Sequence, residues 1–267
     1  MKNKIISSIL LLVLLLTACE DSNEQADTNN ATTTPAVEQN GSGYNQQLQA
    51  LEKVDVSEES YLFVDQSFTI QFPYAVDFIH PIEKATLLLN GRVVTDLHDP
   101  QNTVKPFDKN KLIVKSKTVP KPFDELMIID KDGNEIHLDT GKYVFGKRLP
   151  KDTIPEKQQV YQMGSHYQQM GTKVKMTFNM SNVPGSKITF EVPNELKGII
   201  LNPVTKVLKS DSETTQYEYS FTINQPYYEK NKLNVLSFEI LAHQQLDGRD
   251  LVISKSYIPI SADDLKV

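Results

Sequence analysis

From Phe68 onward, apolar side chains recur at every second position, and that period decides what the chain can fold into. Phe68, Ile70 and Phe72 alternate with polar neighbours. Val174, Met176, Phe178 and Met180 do the same, with Lys173, Lys175, Thr177 and Asn179 between them. Ile188, Phe190 and Val192 repeat the pattern, as do Tyr217, Tyr219, Phe221 and Ile223. Successive side chains of a strand point to opposite faces, so alternation marks strands with one buried and one wet face, the habit of antiparallel sheets. In residues 232–243 the phase slips between Val235 and Leu236, which predicts a bulge. Asn90-Gly91 and Asp132-Gly133 each separate two such runs. Both are hairpin cues, because these residues adopt positive φ at little cost. No long segment of helical period follows, apart from a short helical lead-in at 46–53, and Tyr227-Tyr228 behind Pro226 reads as a loop.

The strand pattern divides in two. Residues 147–157 are charged, contain Pro150 and Pro155, and show no alternation. About seven or eight candidate strands lie on each side, the size of an immunoglobulin-like sandwich. The expected fold is mainly β: two antiparallel β-sandwich (immunoglobulin-like) domains in tandem, at 48–149 and 156–267, after a disordered tether. The chain has no Trp and one Cys, so the Cys–Trp–Cys core of antibody domains is absent and the likeness is one of architecture.

The amino terminus is of a different kind. Lys2 and Lys4 precede an uncharged run, residues 5–16, rich in Ile, Leu and Val. That run is shorter than the roughly 20 residues a spanning helix needs, and a basic tip before a short apolar core is the pattern of a secretory signal. Leu16-Thr17-Ala18-Cys19 then resembles the lipobox of bacterial lipoproteins. The resemblance covers the first nineteen residues. It implies a signal peptide at 1–18, cleavage between Ala18 and Cys19, and a diacylglycerol of palmitate-like chains on the Cys19 thiol. It places the mature chain on the extracytoplasmic face of the cell membrane.

Residues 19–47 form an acidic, polar segment almost without large apolar side chains, so it cannot offset the entropy of ordering itself. As a flexible coil it would hold the folded part roughly 25–30 Å from the lipid. Cys19 is the only cysteine, which excludes a disulfide framework and a thiolate metal site from the mature fold. The formal charge is −6, and loss of Lys2 and Lys4 takes it to −8. Such a chain lacks the surplus of Lys and Arg that displaces counterions from nucleic acid.

Motifs that carry chemistry are scarce. His-Glu-x-x-His, Gly-x-Ser-x-Gly and Ser-x-x-Lys are all missing, and His80, His98, His137, His166 and His243 are scattered. No catalytic residue, metal ligand or cofactor is therefore assigned. Residues 141–147 imitate a P-loop, but Arg148 stands where magnesium needs Ser or Thr, and Tyr143-Val144-Phe145 reads as strand. Asp130, Asp132 and Asn134 have the spacing of a calcium loop, but its glycine falls early, at Gly133, and Gly141 replaces the bidentate glutamate. A hairpin turn accounts for them without an ion. The tetrapeptide Lys-Pro-Phe-Asp occurs at 105–108 and again at 121–124. Between the two copies lie Lys109, Lys111, Lys115 and Lys117, a basic segment in an acidic protein. These four lysines are a candidate contact for anionic headgroups or wall polymer. The competing explanation is an edge strand at 111–115 guarded by its lysines.

The expected function is a non-catalytic binding or adaptor protein of the bacterial cell envelope. Its partners would be the membrane, through Cys19, and an envelope protein or wall polymer. Two other classes stand beside it: a cell-wall-modifying enzyme with a dispersed active site, and a ligand-capture lipoprotein serving a transporter.

Overall fold

The computed structural model describes residues 57–65, 67–76, 82–97, 103–108, 110–116, 118–149 and 152–266. The lipobox, the polar segment and the lead-in at 46–53 lie outside the described residues, as do Lys109, Lys117, His80 and His98. The protein is mainly β. In chain order the strands are β1 (Glu58–Val64), β2 (Ser67–Gln71), β3 (Ile82–Leu89), β4 (Arg92–Asp96), β5 (Thr103–Asp108), β6 (Lys111–Lys115), β7 (Phe123–Asp130) and β8 (Glu135–Arg148). Then follow β9 (Gln162–Met170), β10 (Lys173–Ser181), β11 (Lys187–Glu191), β12 (Ile200–Ser210), β13 (Thr214–Ile223), a short helix α1 (Gln225–Asn231), β14 (Val235–Leu246) and β15 (Arg249–Ser261).

Alternation becomes packing as expected. In β10, Val174, Met176, Phe178 and Met180 are buried, and the residues between them face outward or sit at intermediate depth. Both hairpins form. Asn90 (φ 51°) and Gly91 (φ 70°) have the paired positive φ of a type I′ turn between β3 and β4. Asp132-Gly133 joins β7 to β8.

Three sheets make two sandwiches. An eight-stranded sheet runs β11-β14-β1-β8-β7-β3-β4, with β15 paired to β14. A four-stranded sheet, β12-β13-β10-β9, and a three-stranded sheet, β2-β6-β5, accompany it. One apolar core draws on Phe68, Ile70, Leu112, Val114 and Phe123. The other draws on Val174, Phe178, Phe221, Phe238 and Ile260. Strands β1 and β8 supply both cores. Leu62 and Val64 enter the first and Tyr61 the second; Tyr143 and Phe145 enter the first and Val144 the second. One face of these two strands therefore serves each sandwich.

Strand β1 departs from the antiparallel expectation. It pairs parallel with β14 on one side and parallel with β8 on the other. Every residue of β1 after Glu58 is buried, so the run Tyr61-Leu62-Phe63-Val64 has no wet face to alternate with. Continuous apolar runs of this kind are the mark of strands covered on both faces, as parallel strands are.

Strand β14 is likewise buried from Leu236 to Gln244. Its pairing through Val235 and Leu236 is regular, and the register shift against β15 falls between Ala242 and His243. The bulge expected from the phase slip is thus misplaced: two buried faces, not an extra residue, break the alternation. Tyr227 and Tyr228 lie in α1, not in a loop, with Pro226 in the first turn, where its missing N–H costs nothing.

Candidate functional site

The lysine-rich segment enters the fold as the middle of a sheet. Strand β6 lies between β2 and β5, so it is not an edge, and its lysines have no free backbone to guard. The outer strands of this sheet are β2 and β5, and β5 holds the first Lys-Pro-Phe-Asp with Pro106 in the strand, a position proline tolerates at an edge. The second copy leads into β7. The register of β6 against β2 sets Lys111 opposite Gln71, Ile113 opposite Thr69 and Lys115 opposite Ser67. Since Leu112 and Val114 are fully buried in the first core, Lys111, Ile113 and Lys115 share the opposite face. Of the four candidate lysines, the described pair Lys111 and Lys115 lie on one face but at opposite ends of β6, and only Lys111 borders the cleft described next.

Lys111 opens onto a cleft of about 430 Å³, bounded by β1, β2, β6, β8, β14 and β15. Glu239 of β14 is almost wholly buried there. It accepts the backbone N–H of Phe63 (2.7 Å), and its other oxygen meets Lys255 Nζ (3.0 Å). The Tyr143 hydroxyl accepts the Gln71 N–H (2.8 Å) and faces the Gln71 carbonyl (3.3 Å). The hydroxyls of Tyr143 and Tyr257 both interact with Ser60. Burial raises both phenols above their ordinary pKa, so both remain neutral hydrogen-bonding groups. Charge alone could have led to Lys111. Glu239, Lys255, Tyr143 and Tyr257 belong to distant strands and carry no local signal of a shared site.

A second polar cluster joins the strands of the second sandwich. Buried His243 on β14 holds Asp250 at Nδ1 (2.7 Å) and has Glu191 near Nε2 (3.1 Å), out of hydrogen-bond alignment. Glu191 is also paired with Lys147 (2.8 Å). A third lies under α1, where buried Glu59 accepts hydrogen bonds from Tyr61 and Tyr227 (each 2.8 Å) and meets Lys142 (3.2 Å). Each cluster ties together segments distant in sequence.

The near-motifs resolve as structure. Residues 141–147 lie inside β8, with Lys142 to Phe145 paired to β1, so they form no loop of free amides. The Asp130 carboxylate accepts the N–H groups of Asp132 and Asn134 and the Asn134 side-chain amide, all at 2.9 Å, which makes it the organiser of a turn. Among the described residues no group of three or more His, Cys, Asp or Glu side chains is placed to hold a metal ion.

The two edges of the four-stranded sheet differ. Strand β12 contains Pro203, Lys206 and Lys209, and its pairing shifts register twice. Proline, lysine and bulges are the devices that keep an edge from pairing further. Strand β9, Gln-Met-Gly-Ser-His-Tyr-Gln-Gln-Met, has no proline and no Lys, Arg, Asp or Glu over nine residues. It pairs with β10 alone among the described strands, and Met163 (66% exposed), Tyr167 and Met170 (69%) stand out from it.

No known protein family matches the chain, and no curated protein matches it. Among solved structures it is similar to the N-terminal eight immunoglobulin domains of Down syndrome cell adhesion molecule, isoform 1.30.30, at 8% identity and a TM-score of 0.22. The match covers 78% of this chain and 27% of that one, so this chain spans about a quarter of its length. The class of protein, mainly β with paired sandwiches, rests on the strands and cores themselves.

Proposed function

We propose that this chain is a binding or adaptor protein of the bacterial cell envelope, held on the outer face of the membrane by a lipid on Cys19, and that it engages another envelope protein through β9. The edge of β9, nine residues without proline or charge, carries the reading; its pairing with β10 shifts register once, near Met163, and the turn at Asp263–Lys266 lies against it. An edge strand displays a row of backbone donors and acceptors, and an extended segment of a second protein can take them up by adding a strand. The opposite edge of the same sheet is blunted, so the openness of β9 is not a general habit of this fold. Met163, Tyr167 and Met170 supply apolar contacts along the added strand. The basic tip, apolar core and Leu16-Thr17-Ala18-Cys19 support the anchor.

The test is photo-cross-linking in intact cells from a reactive residue placed at Ser165. A single attached protein is the expected result, and its recovery should fall several-fold when His166→Lys and Met163→Lys put charge on the edge without moving the urea midpoint. Undiminished recovery in that folded variant would overturn the role of β9. The Cys19→Ala chain should leave the membrane fraction; if it stays there, the lipid is not the anchor.

A further inference from the structure

We propose that the outer face of the four-stranded sheet binds a linear polymer that carries phosphate groups along an extended chain. The lysines concerned stand on β10 and β12, whereas the β9 reading concerns the backbone edge of another strand, so either can fail without the other.

The register fixes which residues share this face. The core takes Val174, Met176, Phe178 and Met180 of β10 and Tyr219, Phe221 and Ile223 of β13. Their neighbours in sequence therefore point outward. Lys173 and Lys175 stand out from β10, Lys206 of β12 lies opposite Glu218 of β13, and Lys209 lies opposite Gln216. All four lysines are exposed. Glu218 is the single acid among the residues of these four strands, and it is 3.9 Å from Lys175 Nζ. Lys173, Lys206 and Lys209 make no ion pair among the described residues. Asp211 and Glu213 lie in the turn beyond one end of the sheet. Asp211 is in the field of Lys209, but its carboxylate accepts the N–H groups of Glu213 (3.0 Å) and Thr214 (2.9 Å). The face thus has a surplus of positive charge in a protein whose formal charge is −6.

Edge protection accounts for Lys206 and Lys209, which stand on an outer strand, but not for Lys173 and Lys175 on an interior one. Their spacing selects the ligand. Residues two apart on a strand stand about 7 Å from one another, and β10 and β12 are two strand spacings apart, about 10 Å. The four ammonium groups therefore mark an oblique track and do not converge on one point. A small anion reaches one or two of them. An extended chain with repeated phosphates reaches all four, and each contact after the first is made within the complex. Lysine holds phosphate as a point charge, without a demand on geometry, which suits a chain lying along a flat sheet. No Phe or Tyr shares the face, so it offers no ring on which a base could stack. A membrane would press Glu218, in the middle of the face, against its headgroups, whereas a single chain can pass along the lysines.

The probe is inorganic polyphosphate long enough to span all four lysines, titrated calorimetrically into the full chain in zwitterionic detergent micelles, with orthophosphate as a second titrant. The polymer should bind far more tightly than the monomer, and its affinity should fall with salt. Changing Lys173, Lys175, Lys206 and Lys209 together to Gln should lower it about thirtyfold, the sum of four exposed charge contacts. Glu218→Gln should raise it several-fold. Removing the same charge elsewhere, with Gln at Lys84, Lys131, Lys157 and Lys187, should leave it nearly unchanged. Equal binding by the folded four-lysine variant, or a polymer no tighter than orthophosphate, would overturn the proposal. So would tighter binding of an oligothymidylate of equal charge, which would point to nucleic acid. Lysine-dependent retention on phosphatidylglycerol vesicles without polyphosphate binding would overturn it in favour of a membrane.

Discussion

His137 on β8 has a carboxylate at each ring nitrogen, Glu125 at Nδ1 and Glu135 at Nε2. Because the two acids sit on opposite sides of the ring, they cannot share one ion with it. Their effect is on protonation. Partial burial acts to lower the imidazole pKa, but the hydrogen bonds and charges of Glu135 and Glu125 outweigh it and raise the pKa above 6.5. A histidine whose pKa is raised by folding contributes its stability in full below the unfolded value and loses it as pH rises through the folded one. The stability difference between the native chain and His137→Gln should thus be larger on the acid side of pH 6.5 than on the alkaline side, and should shrink as pH rises through the raised folded value. Urea titrations on either side of pH 6.5 measure it. The ring is well exposed to solvent, so the effect should stay within about 1 kcal/mol. A difference that grows with pH would mean that the imidazole is held neutral.

At the scale of elements, two glycines separate backbone strain from crowding. Gly91 has φ +70° with nothing within 4 Å of an added Cβ, so Gly91→Ala should cost about 1–2 kcal/mol through the turn alone. Gly91→Asn should recover most of that. Gly146 has an ordinary backbone, but an added Cβ would meet the ring of Phe63 at 3.3 Å, and Phe63 is 1% exposed. Gly146→Ala should therefore cost about 1–3 kcal/mol by overpacking, with no rescue by Asn. Denaturant midpoints of the four variants, Ala and Asn at each position, decide between the two causes. The same contrast explains which elements could be read in advance. Strands β2, β10, β11 and β13 each keep one apolar and one wetter face, and alternation finds them. Strands β1 and β14 are covered on both faces, so their alternation disappears. Helix α1 has seven residues, too few for a helical period, and its Pro226 imitates a loop signal. The order of strands within a sheet has no local signature at all. That is why β6 could pass for an edge, and why Lys111 could be noticed without Glu239, Lys255 or Tyr257.

For the whole molecule, the two cores are not separable bodies, since β1 and β8 lend a face to each. Losing either core exposes half of both strands and removes the reason for the other to stay ordered. Phe123→Ala and Phe178→Ala lie in different cores, and each should cost about 3–5 kcal/mol. Both should lower the midpoint of one common transition, followed by tyrosine fluorescence in urea. Two transitions, each sensitive to one substitution, would show that the sandwiches unfold separately. The place of β1 has a mechanical consequence. It is the first described strand after the amino-terminal segment, and it is flanked by β14 and β8. A pull along β1 from the amino-terminal side is shared by the hydrogen bonds on both flanks at once, as a lap joint shares shear. An edge strand in that position would peel open one bond at a time. A load entering at the amino-terminal end of β1 therefore has to break two ladders together before the strand can leave the sheet.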